Sequence, residues 1–453
     1  MIPPRRGRYL FHKGPQLHAG AVLAVLLVVM SVMLVARGFV SGAIPSPFQP
    51  TVAPTRTVNS YAQEGQVHFE SGDLTKAIAA YQQAVKLEPN NPGLWSELAR
   101  IQAYSSQQLT TDAEQQQRMK EALNAADKAV ALAPEDSSVH AVRAFVLDWN
   151  ANPVWAGAQR DALLADAEQE ASRALVFDNT NGLAMAYYAE ILADELKVAQ
   201  AQDYISRALQ ADGQSMDVHR INAYILEMQG QYQQAIAEYQ RAAQFAPNLT
   251  FLYISIGTNY RQLALKAATK QEQSNLYDQA LSYFSKAAAI NDGLGIKDPI
   301  PYIAIAKTYS QMGQFMVASR NIEKAVAYNP YTPDVYGQMG VVYLHNRNYE
   351  GAILALQCAV IGCDPQQSCT ARNCQDANNP AITIQGLPLS SNTVVYYYTY
   401  GSVLAAMHSP GSGYCDEAMK VLEQVRGAFS NDTTIMPIVD ESEQICISYG
   451  YSR

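Results

Sequence analysis

Two patterns of hydrophobic positions divide the chain. The first is an unbroken run from Ala19 to Ala36, eighteen residues without a charge and dominated by Val, Leu and Ala, extended to twenty by Leu17 and His18. At about 1.5 Å per residue it matches a hydrocarbon core of about 30 Å. A helix buried in a soluble core carries a polar face and this run has none, so it predicts a transmembrane helix over 17–37. The second pattern starts at Val58 and is periodic. Tyr61, Gly65 and His68 share one helical face, Ser71-Gly72-Asp73 marks a turn, and Ala77, Tyr81 and Ala84 share the face of a second helix that closes at Pro89. That spacing predicts a helix hairpin.

The hairpin recurs along the chain. In eight units the second helix carries two alanines seven residues apart: Ala77/Ala84, Ala122/Ala129, Ala167/Ala174, Ala201/Ala208, Ala235/Ala242, Ala280/Ala287, Ala318/Ala325 and Ala352/Ala359. The first helix carries one small residue per unit: Gly65, Ala99, Ala144, Ala189, Ala223, Gly257, Ala306 and Gly340. Helix axes come to the short end of the usual range, about 8 Å, only over such residues, and larger neighbours such as Tyr81, Tyr239, Phe284, Ile322 and Leu356 fill the flanking holes. From unit to unit the first alanine advances by 34, 38 or 45 residues. The excess of eleven residues in the longest steps is about three helical turns, so it lengthens a hairpin without losing its packing phase. The segments Gln107–Lys120 and Leu265–Asn275, rich in Gln, Ala, Lys and Glu, are expected to do this. At Asn152-Pro153 a plain polar loop is an equal reading, because Pro breaks a helix interior.

The runs Tyr253-x2-Ile256-Gly257-x2-Tyr260 followed by Ala280-x3-Phe284, and Tyr336-x2-Met339-Gly340-x2-Tyr343 followed by Ala352-x3-Leu356, resemble the tetratricopeptide repeat (TPR) signature. The resemblance covers 58–364. A degenerate ninth unit over 393–430 has Gly401 and Leu404 in its first helix and Ala418, Leu422 and Val425 in its second, with Val425 in place of an alanine, as suits a terminal unit that receives no neighbour. The expected fold is all-α: a right-handed superhelical TPR solenoid of about nine helix hairpins, preceded by one N-terminal transmembrane helix. The resemblance further implies that the first helices line a concave groove for partner proteins or peptides. Projected onto this chain, that groove takes in Gln66, Phe69, Arg100, Phe145, Glu190, Arg220, Tyr224, Glu227, Phe251, Arg261, Ile303 and Lys307. Arg, Tyr and Phe are the currency of binding hot spots. An ordinary solvated face is the competing reading for each residue singly. The Lys and Asn pattern with which TPR proteins clamp a C-terminal carboxylate is not apparent, since Ala62 and Gln66 occupy the corresponding face.

Charge sets the expected topology. Arg5, Arg6, Arg8 and Lys13 precede the apolar run, and Arg37 and Arg56 alone follow it closely. That bias places a basic N-terminus (1–16) in the cytoplasm and the repeats on the extracytoplasmic face of the cytoplasmic membrane, anchored in the bilayer by a single pass. A cleaved signal peptide, cut at Ser41-Gly42-Ala43, competes, but the run exceeds the usual h-region of about 7–15 residues. Residues 38–57, with Pro45, Pro47, Pro50 and Pro54, read as an extended spacer. A net charge of −9 gives no basic footprint for nucleic acid, which is not expected as a partner.

All six cysteines fall late: Cys358, Cys363, Cys369, Cys374, Cys415 and Cys446. An even count around an irregular segment, in a chain expected to face an oxidising compartment, points to three disulfides with the pairing open. Zinc and free thiols are alternatives, although the closest spacings, C-x4-C, are at the margin for zinc. Residues 364–392 show no helical periodicity, and 365–392 read as a Cys-bearing insertion before the ninth unit, with 431–453 as a C-terminal cap or tail. No two of His12, His18, His68, His140, His219, His345 and His408 sit at ligand spacing on one helix; His68 and His140 occupy positions where a packing ring is expected. Asp416/Glu417 and Glu441/Glu443 suit helix ends. No catalytic residue, cofactor or metal is assigned. Tyr396, Tyr397, Tyr398 and Tyr400 cluster in the ninth unit, where at least one ring is expected at the surface as a contact for a partner or for self-association. The leading functional reading is a non-enzymatic, membrane-tethered scaffold for assembly of envelope, secretion or surface machinery. A structural subunit of a membrane or extracellular complex is the alternative, and an enzyme or metal site in the insertion the third.

Overall fold

The computed structural model describes residues 19–41, 57–109, 112–153, 156–374 and 380–452. The basic N-terminus and most of the Pro-rich spacer lie outside them. Two units separate at Arg56/Thr57. The first holds α1 (Ala19–Val40), 22 residues long and apolar on every side, long enough to cross a membrane.

The second unit is a solenoid of helix hairpins. Its hairpins are α2 (Val58–Glu70) with α3 (Leu74–Leu87), α4 (Pro92–Ser106) with α5 (Asp112–Leu132), α6 (Ser137–Asn150) with α7 (Arg160–Phe177), and α8 (Gly182–Asp194) with α9 (Val198–Ala211). They continue through α10 (Met216–Met228) with α11 (Tyr232–Phe245), α12 (Thr250–Lys266) with α13 (Lys270–Leu294), α14 (Ile300–Gln311) with α15 (Phe315–Tyr328), and α16 (Pro333–His345) with α17 (Tyr349–Val360). After α18 (Pro365–Arg372), α19 (Val394–Ala406) and α20 (Tyr414–Phe429) form the ninth hairpin, and α21 (Ile435–Ser448) follows. The sequence sets the boundaries locally. Asp73, Asn91, Asp136, Asn181, Ser215 and Thr269 accept first-turn amide hydrogens as N-caps, and Pro92 and Pro333 open their helices.

All sixteen alanines of the second-helix pairs are fully buried. Their glycine counterparts work as sockets: a Cβ on Gly65 would lie 2.5 Å from the Tyr81 ring, on Gly257 2.5 Å from Phe284, and on Gly340 2.4 Å from Leu356. Gly401 faces Leu422 at 2.6 Å, so the ninth unit keeps the same joint. The long steps lengthen helices as expected: α5 has 21 residues and α13 has 25. At Asn152-Pro153 the loop reading holds, with a short 3-10 turn at Gly157–Gln159 leading into α7. The turn inside a hairpin needs a left-handed residue; Gly72 supplies it with φ +79°, whereas Leu196 holds the same place at φ +63°.

Three expectations need correction. The segment after Asp364 is not without helix: Asp364 and Gln367 form a capping box that starts α18, and Gly362–Cys363 pairs antiparallel with Ile384–Gln385. Val425 does not face open space, since it is fully buried where α21 closes over the ninth hairpin. The tyrosine cluster is not a sticky face. Tyr396, Tyr397 and Tyr400 are buried, their hydroxyls donating to Asp334, the Leu387 carbonyl and Glu417, and Tyr398 is half-buried. The rings that were expected to support self-association are spent on α16, α20 and the insertion.

Candidate functional site

The superhelix closes on itself through its first six hairpins. Gly72, between α2 and α3, packs so tightly on the segment before α12 that a Cβ there would meet the Asn248 carbonyl at 2.4 Å. Inside this turn, side chains from the inner faces of α2, α4, α6, α8, α10 and α12 meet around Tyr104, which is fully buried. Its ring lies 5.3 Å from Phe145, 5.3 Å edge-on from Trp149 and 5.5 Å, stacked at 6°, from Phe251.

Two buried ion pairs run through these rings. Arg100 Nη1 donates to Asp217 at 2.9 Å, and Asp217 also accepts from the Tyr104 and Tyr187 hydroxyls. Arg220 grips Glu190 with two parallel bonds of 2.7 Å and lies 5.4 Å from the Trp149 ring centre. Each guanidinium therefore has a carboxylate and an aromatic face, the arrangement that makes charge tolerable away from water. Arg100 and Asp217 are 117 residues apart in sequence, so the pair locks the second hairpin to the fifth.

Beside this network lies a cavity of about 580 Å³. It forms where α4, α6, α8 and α10 end, walled by Trp149, Tyr224, Phe251 and Ile254, with Leu196, 76% exposed, at the rim. Its charged lining is Asp148, Glu190, Asp194 and Asp298 with Arg160 and Arg220. Glu190 is neutralised by Arg220. Asp194 accepts from the Tyr224 hydroxyl, and burial, opposed by that bond and reinforced by Glu190, pushes its pKa up to about 6. Asp298 accepts from Asn291 and the Ile300 amide, each at 2.9 Å, and burial pushes it up to about 6. Asp148 is 3% exposed and neither of its oxygens has a hydrogen-bond partner among the described residues; burial, then the charges of Asp194 and Glu190, push its pKa far up.

The residues projected onto a groove separate into groups. Arg100 sits over the Phe69 ring at 4.7 Å, and Phe69, Phe145, Glu190 and Arg220 are buried, at 4%, 1%, 5% and 5% exposure. These four are not an open peptide groove, because the tight superhelical turn brings opposite inner faces together. Glu190, Arg220, Tyr224 and Phe251 line the cavity instead. Glu227 accepts from Asn259 and Tyr239. Gln66 is apart, bonded to Glu70 on its own helix. Arg261, which reaches the Ala304 carbonyl, half-buried Ile303 and exposed Lys307 lie on the inner faces of α12 and α14, beyond the closed turn.

Tyr104, Trp149, Asp148, Asp194 and Asp217 were missed. Tyr104, Trp149 and Asp194 stand four residues after Arg100, Phe145 and Glu190, one turn along the same face, so the helical period held the signal. A second recurring device also emerged: Trp95, His140, His219, Tyr253 and Tyr336 each bond, by a ring nitrogen or hydroxyl, the carbonyl six residues earlier. His140 and His219 add a second contact of 2.6 Å to Glu170 and Glu238, whereas His68 is half-exposed near Glu64. The six cysteines pair as Cys358–Cys363, Cys369–Cys374 and Cys415–Cys446, the last stapling α20 to α21.

Family models described as TPR repeat and tetratricopeptide repeat match residues 65–103, and 189–249 and 303–368. No curated relative matches. Among solved structures, the human IFIT1 dimer with PPP-AAAA is similar over 88% of this chain and 92% of its own, at 14% identity and a TM-score of 0.52. The human IFIT1 dimer with m7Gppp-AAAA covers 85% and 81%, at 14% identity and a TM-score of 0.53. At that identity the likeness concerns the fold.

Proposed function

We propose that this chain, a solenoid of tetratricopeptide repeats, is a non-enzymatic scaffold that binds partner proteins or peptides while tethered to the membrane by α1. The observation that carries the reading is the repeat array behind a 22-residue apolar helix. The closed first turn serves as a rigid base. The macromolecular surface is the inner face beyond it, where Ile303 and Lys307 remain accessible. The full pairing of six cysteines supports an oxidising, extracytoplasmic location for the repeats, with assembly of envelope, secretion or surface machinery as the setting. The ligands named for human IFIT1 are not carried over: a cavity with more carboxylates than guanidinium groups, in a chain of net charge −9, disfavours nucleic acid.

The test is photocrosslinking in membranes from a benzoylphenylalanine at Ile303 or Lys307, with Val176, 82% exposed, as control. The reading expects one discrete adduct from the first two positions and none from the control. Identical diffuse labelling from all three would overturn it.

A further inference from the structure

We infer that the cavity within the closed turn is a binding site for an organic cation, a primary ammonium or guanidinium group on an apolar body, with Asp148 as its counter-ion. The inference does not depend on the partner surface at Ile303 and Lys307, neither of which lines the cavity.

Four features converge on it. The first is the orphaned carboxylate: Asp148 lines the cavity and is almost fully buried, and both of its oxygens lack a donor among the described residues. A buried polar group without a partner is costly, and an ionised one far more so, unless something of opposite charge meets it. The second is charge balance. With Arg220 committed to Glu190, the carboxyls of Asp148, Asp194 and Asp298 face one further cation, Arg160, whose Nη2 donates to the Asp194 carbonyl at 3.2 Å. Burial holds these carboxyls towards their neutral form, and a cation seated beside Asp148 would draw its proton off and stabilise the carboxylate. The third is backbone. α4, α6, α8 and α10 all end at the cavity, and helix C-termini bear partial negative charge that favours cations.

The fourth feature selects the kind of cation. No three His, Cys, Asp or Glu side chains among the described residues come together closely enough to hold a metal ion. Carboxyls spread around an aromatic and aliphatic wall suit an extended ligand, whose charged head reaches Asp148 while its body lies along Trp149, Tyr224 and Phe251. A volume of about 580 Å³ is within the usual range of small-ligand pockets. The same chemistry comes from two sources, a free polyamine or the basic side chain of a bound protein.

The experiment is calorimetric titration of the full chain in detergent with spermidine and, separately, with the tripeptide Gly-Arg-Gly. Asp148→Asn is the test variant, and Asp203→Asn, at a side chain 71% exposed, controls for general surface charge. Binding near one equivalent is expected, with affinity reduced about 10- to 100-fold in Asp148→Asn, the range for losing one bond to a charged group, and unchanged in Asp203→Asn. Spermidine alone binding identifies a free amine; the tripeptide alone identifies a side chain delivered by a partner; both binding identifies a site for the cation from either source. Should Asp148→Asn fail to fold by circular dichroism, Asp194→Asn carries the same comparison. Absence of binding by both probes, binding that survives loss of the cavity carboxylate, or equal loss in Asp203→Asn overturns the inference.

Discussion

Arg220→Met isolates the buried network. Methionine keeps most of the length and apolar stem of arginine, so the change is chiefly electrostatic. It removes the two 2.7 Å bonds to Glu190, the Nε bond to the Tyr104 hydroxyl and the contact with the Trp149 ring. Glu190, 5% exposed, is then left charged beside Asp148 and Asp194. Breaking a buried pair on one side costs about 3–5 kcal/mol, largely from the stranded partner. If that cause is right, adding Glu190→Leu removes the stranded charge and returns most of the loss. The remaining deficit is about 1 kcal/mol, because Trp149 Nε1 loses its acceptor at Glu190. Urea unfolding followed by tryptophan fluorescence is the assay. Trp95 and Trp149 lie in α4 and α6, so their signal reports the closed turn and not the distal hairpins. A single variant that loses less than about 1 kcal/mol, or a double variant as unstable as the single, would show that the stranded Glu190 charge is not the cause.

Other outcomes follow from particular contacts. Asp298 is protonated more readily folded than unfolded, with its pKa near 6 against 3.8, so its contribution strengthens as pH falls from about 6 towards 4. The stability difference between the wild-type chain and Asp298→Asn should therefore shift by about 1 kcal/mol between pH 7 and pH 5, in favour of the wild type at pH 5. Removing Cys415–Cys446, whose partners are 31 residues apart, should cost about 3–4 kcal/mol, and removing Cys358–Cys363, separated by 5, about 2 kcal/mol, as read from thermal unfolding of Ala pairs. Gly257→Ala places a Cβ 2.5 Å from the Phe284 ring and should lower stability by about 1–3 kcal/mol. Phe284→Leu in the same chain should recover part of that loss, measured by urea midpoint.

The repeat was legible because its joints are chemically narrow. A site that admits only Gly or Ala leaves a mark in sequence, and Gly65 against Tyr81 or Gly340 against Leu356 repeats that mark at a countable period. The closure of the first turn was not legible. Contacts between neighbouring hairpins fix local packing, but the small rotation per unit that brings Arg100 to Asp217 accumulates over four hairpins and is written in no single motif. Phe69, Phe145, Glu190 and Arg220, which the resemblance placed in a groove, therefore lie in a closed core. Cysteine pairing was equally hidden, since C-x4-C spacing suits several chemistries; the two near pairs lie at the short β-ladder and α18, and the packing of α21 on α20 joins Cys415 to Cys446. The tyrosine cluster misled because composition says nothing of which neighbours cover a helix face, and α19 is covered on most of its circumference.

Membrane topology decides whether the repeats stand outside the cell behind an uncleaved anchor. Cells expressing the chain would be treated intact with protease and with a membrane-impermeant thiol reagent, and the membrane fraction compared with and without reductant. The repeats should be digested from outside, remain with the membrane through α1, and show no reactive thiol until reduced. Repeats protected from external protease with six reactive cysteines, or repeats released from the membrane by cleavage after α1, would contradict this topology.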